Sequence, residues 1–130
     1  MHKLKMIKKY DSLINNKRQE LDRLTELMTK VTVLDYTKER VQVTPNNDSL
    51  CDIISKISEI QEEIRKDLVE YVELREDCMR QIDALDNSDL IDIAYKYYFE
   101  FKSFEKVAEE IGISTRWVIE LNKKLLESVH

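Results

Sequence analysis

The chain has 130 residues, 36% of them charged, a formal net charge of −5 and two cysteines. One glycine and one proline are too few for the turns of a sandwich or barrel, or for a glycine-rich loop that cradles phosphates, so an all-α fold is expected. No apolar run could span a membrane, and the basic start, MHKLKMIKKY, lacks the apolar core of a secretory signal, so a cytoplasmic protein is expected.

Apolar residues first recur at Leu4, Ile7, Tyr10, Ile14, Leu21, Leu24, Met28 and Val31, in steps of three and four with a polar skip at Lys17. That spacing predicts one helix with a single buried stripe, ending at about Leu34. The pattern stops in DYTKERVQVTPNN, residues 35–47, where Val41 and Val43 alternate with polar neighbours and Pro45 and the asparagines mark a loop with a short extended piece. A second helix is predicted to start near Asp48 or Ser49, either of which can cap its first turn. Leu50, Ile53, Ile57, Ile60, Ile64, Leu68, Tyr71, Leu74, Cys78, Ile82 and Leu85 then hold heptad-like spacing, which demands a partner for the stripe. Cys51 and Cys78 fall on this one helix, too far apart to bond to each other.

Residues 1–34 carry eight Lys or Arg against four acids, net +4, while residues 48–86 carry five against twelve, net −7. Opposite charge favours packing of the two helices on each other. Residues 1–86 are therefore expected to form a long antiparallel, coiled-coil-like helical hairpin with its loop at 35–47. A two-helix coil leaves much of each helix in water, so the same arm is expected to carry a homo-oligomer.

Asp86-Asn87-Ser88-Asp89 forms a cap-like cluster that starts a new helix, with Leu90, Ile91, Ala94, Tyr95, Tyr98 and Phe99 as its apolar positions. The aromatic run AYKYYFEFKSF reads as core packing, because base stacking needs a basic groove beside the rings and only Lys96 and Lys102 flank them. Ser103 can cap a helix to about Glu110 whose inner face is Phe104, Val107, Ala108 and Ile111. Gly112 then supplies the left-handed turn, and Ser114 caps a last helix with Val118, Leu121 and Leu125 inside. The order apolar, small, apolar, Gly, apolar, apolar, apolar at Val107, Ala108, Ile111, Gly112, Ile113, Val118 and Leu121 is that of a helix-turn-helix, so residues 87–130 are expected to form a small domain of that kind.

His2 and His130 stand at the two ends of the sequence. Neither is placed for a metal cluster or for activating a nucleophile, and no paired acid and base occurs. No catalytic activity, cofactor, metal, membrane contact or small-molecule substrate is expected.

The stretch YKYYFEFKSFEKVAEEIGISTRWVIELNKKLLESV resembles region four of bacterial sigma factors, with an aromatic-rich helix, a K-S-x-E-x-[IV]-A-x-x-[IL]-G-[IV]-S segment and a V-x-x-[IL] recognition helix. The wider layout, including VQVTPNN, the long acidic helix and Arg116-Trp117-Val118, is similar to an uncharacterised phage-associated family of Gram-positive bacteria near the regulators called ArpU and RinA. The resemblance implies double-stranded DNA as partner and activation of late phage genes, with host RNA polymerase as a possible second partner. It implies that Ser114 caps a helix whose start meets a phosphate, and that Thr115, Arg116, Ile119, Glu120 and Lys123 face the groove. The sequence departs from the pattern at Phe101, where glycine is usual, and at Ile119 and Glu120, where a basic or amide residue is commoner.

Residues 87–130 are net −2, but Arg116, Lys123 and Lys124 gather on the last helix, with Lys102 and Lys106 at the start of the one before it. If all five touched phosphates, log affinity would fall with log salt at a slope of about −4.5 per chain. Arg116 and Glu120, four apart, are spaced to pair with each other. A phage or prophage transcription regulator is the leading expectation. The alternatives are an adaptor working through the acidic arm and a small DNA-packaging subunit.

Overall fold

A computed structural model describes the backbone of residues 1–37 and 44–130 and the side chains of residues 1–31 and 49–130. The described residues form an all-α fold: α1 (Lys3–Thr37), α2 (Thr44–Asp83), α3 (Ser88–Ile93) running on as a π-helix (Ala94–Phe99), α4 (Phe104–Ile111) and α5 (Thr115–Ser128). No described helix is long and apolar enough to cross a membrane.

The long helices reach further than their apolar stripes. α1 continues to Thr37 instead of stopping at Leu34, and α2 begins at Thr44, so the interruption expected over 35–47 is shorter. Pro45 does not prevent this, because a proline in a first turn lacks only an N–H that has no intrahelical acceptor there. Asp48 and Ser49 lie inside α2 and do not cap it. The extended piece expected at Val41 and Val43 lies outside the described residues.

The chain divides into two compact units, residues 1–12 with 69–130, and residues 13–68. In the first, Leu4 and Ile7 of α1 and Cys78 and Ile82 of α2 are fully buried in one apolar cluster with Ile93, Val107, Val118 and Leu125. A boundary at 86 to 87 therefore runs through a shared core. Ile93, absent from the apolar positions read in the sequence, is fully buried because it stands three residues after Leu90 and beside Ala94 on the inner face.

The two histidines, far apart in sequence, both serve this unit. His2 precedes α1, and its Nδ1 accepts the Leu4 N–H at 3.0 Å. The ring proton is therefore on Nε2, which donates to the carbonyls of Leu126 and Val129, each at 2.9 Å. Gln81 of α2 accepts the His130 N–H at 2.7 Å and donates to its carbonyl at 2.6 Å.

In residues 13–68 the polar skip at Lys17 has a physical cause. Its ammonium sits 2.6 Å from Asp67 and 3.7 Å from Glu63, in the stripe where an apolar residue would otherwise fall. The hydrogen bond to Asp67 holds the Lys17 pKa above its ordinary value. These contacts join α1 to the opposite-charged α2 in antiparallel sense, as does Lys3 with Asp77, 2.6 Å apart, and Tyr10 with Glu70 in the other unit.

The caps of α3, α4 and α5 have the residues their geometry favours, whereas Phe101 after the π-helix takes a φ of 60° without being glycine. Asn87 accepts the Asp89 N–H at 2.9 Å, and Ser103 accepts the Lys106 N–H at 3.1 Å. Gly112 closes α4 with φ at +88°, its N–H bonded to the Ala108 carbonyl at 2.8 Å. An added Cβ at Gly112 would meet nothing within 4 Å, so the cost of a side chain there is the left-handed backbone alone. Gly112→Ala is expected to destabilise the protein by about 1 kcal/mol in a urea titration, with Gly112→Asn costing less.

Candidate nucleic-acid interface

The turn from Gly112 to Ser114 joins α4 to α5 and completes a helix-turn-helix arrangement. Ala108 is buried beside Val107 where α4 meets the unit's core, and Val118, Leu121 and Leu125 bury one face of α5. The opposite face is in solvent, and it carries Arg116, Ile119, Glu120 and Lys123. Thr115 is half-buried at the margin.

The amino end of α5 has the chemistry expected of an anion site. Its first turn holds no acid. Ser114 Oγ accepts the Trp117 N–H at 3.1 Å, which leaves its own hydroxyl proton free to donate. The amides of Thr115 and Arg116 belong to the first turn and have no intrahelical acceptor. Trp117 is 46% exposed, so the ring does not occupy this position in order to fill the core.

The cations differ in how free they are. Among the described residues Arg116 and Lys124 make no ion pair, whereas Lys123 pairs with Glu120 at 3.3 Å and Lys106 with Glu109 at 3.9 Å. The pairing considered for Arg116 with Glu120 does not form, because Glu120 turns to Lys123. Lys102 is the most constrained, half-buried with its ammonium 2.9 Å from Glu100 and 2.8 Å from Glu110. Those two hydrogen bonds, Glu100 first, raise the Lys102 pKa, and the bond from Lys102 lowers that of Glu110. Lys96 approaches the same carboxylate at 3.9 Å. The outward face of α5 thus offers Arg116 and Lys124 at once, and Lys123 once its partner lets go.

A tether sets the position of α5. Tyr98, 5% exposed on the π-helix, donates its hydroxyl to Asn122 Oδ1 at 2.6 Å. Burial raises the Tyr98 pKa from its ordinary 10 to about 12. The raised value means that the stability tied to the neutral phenol is intact below pH 10, where the unfolded chain is also neutral, and is lost as pH rises through 12. The loss should reach roughly 2 to 3 kcal/mol. Urea midpoints measured from pH 9 to 12 are expected to fall more steeply for the natural protein than for Tyr98→Phe, and equal slopes would count against a phenol held neutral by burial.

The aromatic run packs into the core as its pattern suggests, with Tyr98 in the buried cluster and Tyr95, Tyr97, Phe99 and Phe104 against it, while Phe101 stays exposed. Tyr97 stacks on Phe104 with centroids 4.1 Å apart and planes 7° from parallel, and meets Tyr98 edge-on at 4.8 Å. Lys5 and Lys8 of α1 line the same cleft as these rings, which adds to the flanking Lys96 and Lys102 two cations that no local pattern reveals.

No protein-family profile, curated protein or solved structure matches the chain. The likeness to sigma region four and to the phage family therefore rests on the residues quoted above.

Proposed function

We propose that the protein binds double-stranded DNA through α5 and acts as a phage or prophage transcription regulator of the late-gene activator type. The observation that carries this reading is the solvent-facing side of α5, with an acid-free amino end, an available Ser114 hydroxyl and an Arg116 that makes no ion pair among the described residues. A phosphate at that end would meet first-turn amides, a hydroxyl and a guanidinium together. The sigma-like order of residues supports the same docking, with the helix in the major groove.

The arm suits self-association. In residues 13–68 only Ile14 and Ile60 are buried among the described side chains, while Leu13, Leu27, Ile54 and Leu68 are exposed. A second copy covering these residues would place two tails on spaced half-sites and raise affinity without a new DNA contact. Contact of the arm with host RNA polymerase is the other role proposed for it.

One observation favours an adaptor instead: Lys102, Lys106 and Lys123 are already neutralised by neighbouring carboxylates. Fluorescence anisotropy with duplex from the protein's own genomic neighbourhood separates the two. The regulator reading expects binding that weakens as salt rises and on Arg116→Ala. Absence of binding at low salt would favour the adaptor.

A further inference from the structure

We infer that the cleft between the start of α1, the π-helix and α5 binds a phosphorylated nucleoside, either a free mononucleotide or the terminal nucleotide of a single strand. This goes beyond the duplex contact proposed for the outer face of α5 and does not depend on it. The cleft measures about 370 Å³, within the range of small-ligand sites. Its chemistry has three parts. Lys5 and Lys8, three residues apart on α1, are exposed and make no ion pair among the described residues, so two ammonium groups are available to one phosphate. Lys102 at the rim is held by Glu100 and Glu110 and does not compete for that role.

The second part is the aromatic wall. Phe101 lines the cleft, is 37% exposed and pairs with no other ring among the described residues, which leaves it available to a planar partner. Its backbone has φ of 60°, the left-handed region where the sigma-like pattern has glycine. A bulky residue held there costs backbone strain, and such strain concentrates at ligand clamps. The π-helix that supplies Tyr97 and Tyr98 is likewise a distortion frequent at functional sites.

The third part selects a base over a plain phenyl ring. Asn122 lines the cleft, and its Oδ1 is occupied by the Tyr98 hydroxyl, which orients the amide and leaves its N–H groups to donate. A nucleobase carries ring nitrogens and carbonyls to accept them. A phenyl group does not.

The test is a titration of the isotope-labelled full chain with AMP, adenosine and a 5′-phosphorylated single-stranded tetranucleotide, followed by amide chemical shifts. AMP is expected to bind with a dissociation constant below about 1 mM, and adenosine at least tenfold more weakly. Binding of the tetranucleotide with none by AMP would assign the site to a strand end, and the converse to the free nucleotide. The double variant Lys5→Ala with Lys8→Ala, in solvent and harmless to the core, and Phe101→Leu, which keeps bulk without a ring face, should each weaken binding about tenfold. No saturable shift with either phosphorylated probe, or equal affinity in both variants, would overturn the proposal.

Discussion

Ile7→Ala should unfold the C-terminal helices at markedly lower denaturant, although the substitution is near the opposite end of the sequence. Ile7 is fully buried in the cluster that also holds Ile82, Ile93, Val118 and Leu125. Truncating a buried isoleucine removes its transfer free energy and leaves a cavity, together costing about 2 to 4 kcal/mol. That is a large share of the roughly 5 to 15 kcal/mol by which a domain of this size is held folded. Trp117, the only tryptophan, is on α5, so its fluorescence follows the tail itself. Leu24→Ala serves as the comparison, since Leu24 is half-buried in the other unit and should cost less. An unchanged Trp117 transition in Ile7→Ala would mean that the tail folds without the base of the arm.

The second large effect concerns charge. If the tail engages phosphate, the salt slope should lie near −3.6 per chain, the value for four contacts, instead of about −4.5 for five. The difference is Lys102, because a cation held at under 3 Å by two carboxylates gives up both to reach a phosphate. Lys106 and Lys123 are in exposed pairs three residues apart, which are worth at most about 1 kcal/mol and are easily exchanged. Arg116→Ala should lower affinity about tenfold and reduce the slope by close to one unit. Glu120→Gln should act in the opposite direction, strengthening binding roughly two- to fivefold, because it removes a carboxylate from the groove-facing side and frees Lys123. Equilibrium titrations at four salt concentrations give slope and affinity together.

Much of the fold is legible locally. Capping is a contact between residues two or three apart, so Asn87, Ser103 and Ser114 announce three helix starts, and the sole glycine marks the left-handed turn that closes α4, whereas the positive φ of Phe101 after the π-helix has no such signal. The stripes on α1 and α2 mark the covered faces, except at Leu68, which belongs to the α2 stripe and is exposed. Helix ends beyond the stripes are not legible in this way, since the helical backbone continues to Thr37 and starts from Thr44, past the residues that form the apolar pattern.

Contacts across long sequence separations are also silent. Nothing near His2 indicates the Leu126 and Val129 carbonyls, and nothing near Lys5 indicates Tyr97. The π-helix over Ala94–Phe99 escapes too, because its widened turn has no composition of its own. The solvent-facing positions of α5 follow from helical period once Val118, Leu121 and Leu125 are placed inside. Which cations are free among them depends on side-chain partners, as the choice of Lys123 over Arg116 by Glu120 illustrates.

The most direct measurement is an amide chemical-shift map of the labelled protein on a duplex carrying its binding site, at low salt. The proposed function predicts perturbations centred on Ser114, Thr115, Arg116, Ile119, Glu120 and Lys123. Shifts confined to residues 13–68, or none at all, would contradict it.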